Sequence, residues 1–323
     1  MLPEHSFEFR LGDQTITLKT GKIARLAGGA VIAQSGDTVL LATATMSNSI
    51  REGTDFFPLT VDFEERLYAA GRIPGSFFRR EGRPSERAIL TSRLIDRAVR
   101  PMFSHDMRND VQIIVQPLSQ GEVEYADTLG LIAASAALVI SNVPFDDPVA
   151  AVRIGYVDGA FVVNPTIPQM EQSALDLVVA GSADAIIMVE AGASVISEEL
   201  MLDAMQLAHE SIQGAIRIQL DMRAEVGKQK SDYPRFTMPE ALSARVQELM
   251  LERVRHLVAT TELKGERLEA TSALEAELKA TLVDEAAENG WSQSLIGEAF
   301  DAVLKQVVRE RILNEGIRPD GRD

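Results

Sequence analysis

Apolar and polar residues alternate from the start of the chain. Phe7, Phe9 and Leu11 repeat with a period of two, Gly12-Asp13 supplies turn chemistry, and Ile16 and Leu18 resume the alternation. That is the pattern of a hairpin with one buried face. Gly28-Gly29 punctuates the chain, residues 30–33 and 38–45 flank the turn Ser35-Gly36-Asp37, and 57–63 reads as a further strand. Residues 71–84 break the pattern. Gly71, Pro74, Gly75, Gly82 and Pro84 put Phe77, Phe78, Arg79 and Arg80 on a loop. Pro84-Ser85 then opens a helix expected to reach Val99 and to stop at Pro101. On that helix Leu90, Thr91, Leu94, Ile95 and Ala98 share one side, with Arg87 turned toward it as a buried structural arginine. Arg93, Arg97 and Arg100 line the other side at i, i+4 and i+7.

Further along, 111–115 reads as a short strand and Ala126 to Ile140 as a helix whose Ala133, Ala134, Ala136 and Ala137 permit close packing on a sheet. Segments 149–157 and 160–163 form a hairpin through Asp158-Gly159, and 175–179 pairs with 185–189. Ser197, followed by Glu198 and Glu199, opens a helix expected to end at Gly214. Hairpins mixed with helices predict an α/β body of the α+β kind, not the regular alternation of a doubly wound fold. After a polar stretch, Thr237-Met238-Pro239-Glu240 reads as a capping box. Helical sequence follows to Leu313 in three segments, broken near Thr260 and near Asn289-Gly290. The expected organisation is a core over 1–222, a linker over 223–236, an all-helical domain over 237–314 and a turn-rich end over 315–323.

Composition narrows the chemistry. There is no cysteine, so disulfides and thiolate catalysis are excluded, and His5, His105, His209 and His256 lack the spacing of metal ligands. The first residues lack the basic and apolar regions of a secretion signal, and the longest apolar run, 129–140, is too short to span a bilayer. The expectation is a cytoplasmic protein with no membrane partner. The formal charge is −16, yet residues 72–100 hold eight arginines against three acids. A positive segment on a negative body must face an anion or be paired internally. Arginine forks suit phosphate, and adjacent aromatics stack on unpaired bases, a combination fitted to single-stranded nucleic acid. The alternative is that Phe77 and Phe78 are core residues and the arginines pair with Asp62, Glu64 and Glu65. Phosphate-loop, dinucleotide-binding and nucleophile-elbow motifs are absent.

The run from Phe57 through Phe77-Phe78-Arg79-Arg80 to Arg87, continued by Arg93, Arg97 and Arg100, resembles the first ribonuclease PH-like core of bacterial polynucleotide phosphorylases. The likeness extends through 28–45, through Leu175 to Gly181, and across the helical segment. It implies a core of the ribosomal-protein-S5-domain-2-like type followed by an all-helical domain. It also implies a phosphate-dependent 3′-to-5′ exoribonuclease that releases nucleoside diphosphates, acts in RNA turnover and runs in reverse as a polymerase. Mg²⁺ or Mn²⁺ and inorganic phosphate are the implied cofactors of the complete enzyme. The implied partners are single-stranded RNA, two further copies in a homotrimer, and other RNA-degradation machinery. On this resemblance Phe77, Phe78, Arg79 and Arg80 ring a channel mouth, and Arg83, Arg93, Arg97 and Arg100 extend the RNA path.

The resemblance also implies that catalysis lies elsewhere. Where the active core of the family has a glycine and serine cluster for phosphate, this chain has Glu124, Tyr125, Ala126 and Asp127. Asp176 matches an active-core aspartate, but Val178 stands in place of its lysine and Met170 in place of an earlier acid. No catalytic residue and no metal ligand are expected here, and Asp176 reads as an isolated structural acid. Arg318 to Arg322 resembles the opening of a second core, so the expectation is a partial sequence, or a split gene product, without that core. The competing function is a standalone, non-catalytic RNA-binding or assembly protein. A standalone phosphorolytic enzyme is disfavoured by Glu124, Asp127 and Val178.

Overall fold

The computed structural model describes residues 3–322 except Glu52, Asp55, Ser76 and Glu262; Met1, Leu2 and Asp323 also lie outside the described residues. The chain divides into two compact units, Met1–Pro234 and Arg235–Asp323.

The first unit begins with the expected antiparallel strands: β1 (His5–Leu11), β2 (Gln14–Thr20), β3 (Gly29–Ser35) and β4 (Thr38–Met46). With β5 (Leu59–Phe63) and β6 (Val111–Ser119) they form a six-stranded sheet in the order β1-β2-β3-β4-β6-β5. β5 starts two residues later than expected; Pro58 cannot donate to the ladder, and Phe57 packs on Phe103 at 4.8 Å between ring centroids. β5 and β6 run parallel. Parallel neighbours need a crossover, and this one carries the arginine loop and α1 (Glu86–Val99). A second, four-stranded antiparallel sheet has the order β10-β9-β7-β8. Its strands are β7 (Ala150–Val157), β8 (Ala160–Val163), β9 (Leu175–Gly181) and β10 (Ile186–Ala193). Asp158 and Gly159 both take positive φ in the β7–β8 turn, matching strand twist.

Helices α1, α2 (Ala126–Ile140) and α4 (Glu198–Val226) each pack against strands of both sheets; α3 (Ile167–Met170) is a single capped turn. All of α2 except Asp127 is buried, which explains its lack of a polar face. Its small residues let the β3 backbone approach closely: a Cβ on Gly29 would lie 2.0 Å from the Ala137 carbonyl oxygen.

Three expectations are corrected. α4 does not stop at Gly214, because Ala215, Ile216, Gln219 and Met222 continue its buried face. Their burial outweighs the roughly 1 kcal/mol that a helical glycine costs. On α1 the buried stripe is Ala88, Thr91, Leu94, Ile95, Ala98 and Val99, so Arg87 and Leu90 are exposed rather than interior. They flank the stripe and line a cavity beside the second sheet.

Residues 227–234 follow α4 as an extended strap within the first unit. Lys228 Nζ donates to the Gly28 carbonyl at 2.6 Å. Lys230 Nζ donates to Leu138, Val139 and Ser141 carbonyls at 2.9–3.0 Å, closing the C-terminal end of α2.

In the second unit α5 (Glu240–Thr260), α6 (Lys264–Thr281), α7 (Val283–Asn289) and α8 (Gln293–Glu310) form a bundle. Val246, Met250, Val254 and Leu257 of α5 meet Ile296, Phe300, Val303 and Val307 of α8 in its core. The third correction lies here: the expected capping box does not form. Pro239 is the N-cap without a side-chain bond, since the helix starts two residues too late for Thr237 to cap it. Among the described residues, no helix is long and apolar enough to cross a membrane.

Candidate nucleic-acid interface

The arginine loop leaves β5 through a short 3-10 turn, Leu67–Ala70, and returns to the N-terminus of α1. Its two ends are fixed differently. Gln120 N–H donates to the Ala69 carbonyl at 2.9 Å and Gln116 Nε2 to Tyr68 Oη at 2.9 Å, which ties the turn to β6. At the other end Ser85 caps α1, its Oγ accepting from Ala88 N at 3.1 Å. Between them the tip projects outward. Phe77 is 93% exposed and Phe78 77%, with their rings edge to face at 5.4 Å. The alternative that buries them is thereby overturned. Two apolar rings held largely in water, each set against the other, are the unusual observation here, because an aromatic side chain ordinarily hides most of its area. Arg79 adopts a left-handed φ of 53° and donates from Nη1 to the Pro74 carbonyl at 3.1 Å.

The expected site residues are not equivalent. Arg83 and Arg93 line a cavity of about 810 Å³ beneath the loop, together with Asp62, Glu64, Glu65, Arg66 and Glu81. Arg97 is drawn into an ion pair with Glu190 of β10. Arg100 holds Asp96 through two bonds of 2.6 and 2.8 Å and also donates to the Phe57 and Leu59 carbonyls. Glu64 is taken by Arg66, and Asp62 accepts from Gln112 at 3.4 Å. Arg79, Arg80 and Arg83 thus share the loop with the exposed rings, while Arg97 and Arg100 also stitch α1 to its surroundings.

Asp176 is not the isolated acid expected. Arg153, a buried residue in the middle of β7, reaches Asp176 through Nη1 and Asp127 through Nη2, the latter at 2.6 Å. Its guanidinium also lies 4.0 Å from the centroid of the Tyr125 ring. Burial works against the Arg153 charge, but the two carboxylates outweigh it and push its pKa above the usual value. Burial raises the Tyr125 phenol despite the opposing field of Arg153. Glu124, expected beside Asp127, instead turns toward the β3–β4 connection and accepts from Thr38 Oγ1 at 3.3 Å.

This cluster does not fit a divalent metal. Its cation is already present as a guanidinium bonded to both carboxylates, and a second positive centre would have to displace it. Among the described residues, no group of three or more His, Asp or Glu side chains is arranged to hold a metal ion. Arg153 escaped the sequence reading. Its only signal was a lone charge inside the apolar run Ala-Ala-Val-Arg-Ile-Gly.

Known proteins resemble this chain. Residues 13–144 match the 3′ exoribonuclease family, domain 1, and 147–211 match its domain 2; residues 241–323 match the polyribonucleotide nucleotidyltransferase, RNA binding domain. The polyribonucleotide nucleotidyltransferase of Thermus thermophilus is 45% identical over 98% of this chain and 45% of its own length. That of Herpetosiphon aurantiacus is 44% identical over 98% of this chain and 41% of its own length. The chain therefore spans less than half the length of these relatives. A solved structure titled as the Archaeoglobus fulgidus exosome with RNA bound to the active site shares the fold of part of this chain. Its TM-score is 0.50 at 16% identity, covering 67% of this chain and 89% of that one. On the paired domain matches, the helical module behind them and the relatives aligned along nearly all its residues, the chain belongs to the 3′ exoribonuclease family, among the polyribonucleotide nucleotidyltransferases.

Proposed function

We propose that this chain is the RNA-guiding part of a phosphate-dependent 3′-to-5′ exoribonuclease that releases nucleoside diphosphates and can run in reverse. The observation that carries the reading is the solvent-exposed Phe77–Phe78 pair flanked by Arg79, Arg80 and Arg83. Exposed rings offer stacking platforms to any base, and the arginines offer forks to the phosphates between them. Because backbone contacts carry no base information, binding is nearly indifferent to sequence. Arg93, Arg97 and Arg100 extend the path along α1, the last two as residues that also hold internal acids.

Catalysis belongs to a second core outside these 323 residues, where Mg²⁺ or Mn²⁺ and inorganic phosphate act. The occupied Arg153 cluster supports that division of labour, as does the share of the relatives' length that this chain spans. The complete protein works as a cytoplasmic homotrimer that sets three such loops around one channel, alongside other RNA-degradation machinery. The domain limits 1–222, 223–236, 237–314 and 315–323 are the working division of these roles.

The test is the joint change Arg79→Ala, Arg80→Ala and Arg83→Ala, with single-stranded RNA binding measured across a salt series. Affinity should fall, and the dependence of log K on log salt should become shallower by about 0.7 for each phosphate that is no longer neutralised. Unchanged affinity and slope, with folding intact, would refute the assignment.

A further inference from the structure

The tip of the loop is held by one more residue, and it is an acid. Glu81 lies immediately after Arg80, in a segment whose charge would be best matched to RNA if it were entirely basic. Its two carboxylate oxygens both accept from the Leu67 backbone N–H, each at 3.2 Å. Leu67 opens the 3-10 turn that Gln116 and Gln120 tie to β6. Arg72 N–H then returns to the Leu67 carbonyl at 2.9 Å. The outgoing limb is therefore anchored to the sheet, and Glu81 fastens the returning limb to that anchor. Cβ atoms added at Gly71, Gly75 and Gly82 would meet nothing within 4 Å, so the limbs between these points have little packing of their own.

We propose that Glu81 is a positioning residue, a latch that closes the loop from Leu67 to Glu81 and so holds Phe77, Phe78, Arg79 and Arg80 in a binding-ready arrangement. This rests on the RNA reading of the same loop. The physical logic is preorganisation. A loop ordered before binding does not lose that conformational entropy when the ligand arrives. The carboxylate accepts a bifurcated, charge-assisted bond from a backbone donor, and it lines the same cavity as Arg66, Arg83 and Arg93. Asp62, Glu64 and Glu65 line the same cavity and keep a negative field there whether or not Glu81 is present.

Two substitutions separate latch from charge. Glu81→Ala removes both; Glu81→Gln removes the charge and keeps an oxygen that can accept from Leu67. If Glu81 acts through the latch, Glu81→Ala speeds hydrogen exchange across 66–75 about tenfold and weakens single-stranded RNA binding roughly five- to tenfold. The salt slope stays at its wild-type value, because every phosphate keeps its arginine. Glu81→Gln keeps slow exchange and binds RNA as well as the wild type or better. If Glu81 matters only as a negative charge among arginines, both substitutions bind RNA more tightly, and that result overturns the proposal. So does wild-type exchange in Glu81→Ala. The joint arginine variant separates the two readings. If it binds RNA as the wild type does while Glu81→Ala still frees the loop, the latch stands and the RNA assignment falls.

Discussion

Replacing Arg153 by methionine should destabilise the first unit by about 3 kcal/mol. Methionine keeps much of the unbranched stem and removes the guanidinium, so the change is mainly one of charge. In the native chain the Arg153 side chain is 8% exposed, against 17% for Asp127 and 47% for Asp176. One cation thus sits between two carboxylates, of which Asp127 is the drier. For Asp127 an effective dielectric near 20 makes the attraction about 4 kcal/mol at 4 Å. For the half-exposed Asp176, solvent reduces it to about 1 kcal/mol or less. Removing the cation from the face of Tyr125 adds up to about 1 kcal/mol. Against these stands the desolvation of Arg153 itself, which the variant no longer bears, and the balance remains unfavourable because two like charges are left facing each other.

The chain supplies its own probes for this measurement. Tyr68, Tyr125, Tyr156 and Tyr233 are its four tyrosines and all lie in the first unit, while its single tryptophan, Trp291, lies in the second. Urea unfolding followed by near-ultraviolet tyrosine signals reads the first unit, and tryptophan fluorescence read in parallel reports the second separately. A loss of about 3 kcal/mol should lower the tyrosine midpoint by roughly 1 M urea or more. Adding Asp127→Asn should recover at least half of the loss, since the uncompensated charge is its main source. A tyrosine transition within about 0.5 kcal/mol of wild type would refute the electrostatic account. A double variant as unstable as the single would show that packing, not charge, set the cost.

Two further outcomes are expected. Burial, assisted by Arg223 and opposed by Asp146, pushes Lys230 down to about 8, so between there and the usual 10.5 the unfolded chain holds more protons than the folded one. Stability relative to Lys230→Met should therefore rise with pH across that window, by about 1–2 kcal/mol after allowing for the solvent that still reaches the amine; a difference that is flat between pH 7.5 and 10.5 in denaturant titrations would contradict it. Gly29→Ala would set a Cβ 2.0 Å from the Ala137 oxygen and 2.8 Å from Ser141 Cβ, and should cost about 3 kcal/mol as β3 and α2 are forced apart, read as a lowered melting temperature.

Much of this molecule was legible locally. Turn residues at Gly12-Asp13 and Asp158-Gly159 set two hairpins because their backbone preferences act over four residues. The capping serines Ser85 and Ser197 marked helix starts, and the small-residue segment 126–140 became a helix with those same bounds. The breaker-rich arginine loop was also readable, since several glycines and prolines clustered within a few residues disfavour regular structure.

What the sequence could not decide are the questions answered by distant partners. Whether α4 ends at Gly214 depends on β1, β7 and β9 lying against the helix, and no local preference encodes their arrival. Arg87 and Arg153 are both arginines beside apolar neighbours, yet one is exposed and the other buried. The difference is that Asp127 and Asp176, 26 and 23 residues away along the chain, converge on Arg153 and make its burial tolerable. Arg97 likewise meets Glu190 only because the crossover brings α1 against β10. Charge pattern marked the positive segment along the chain. Tertiary packing decided which of its arginines hold the protein's own acids and which stand beside two exposed rings.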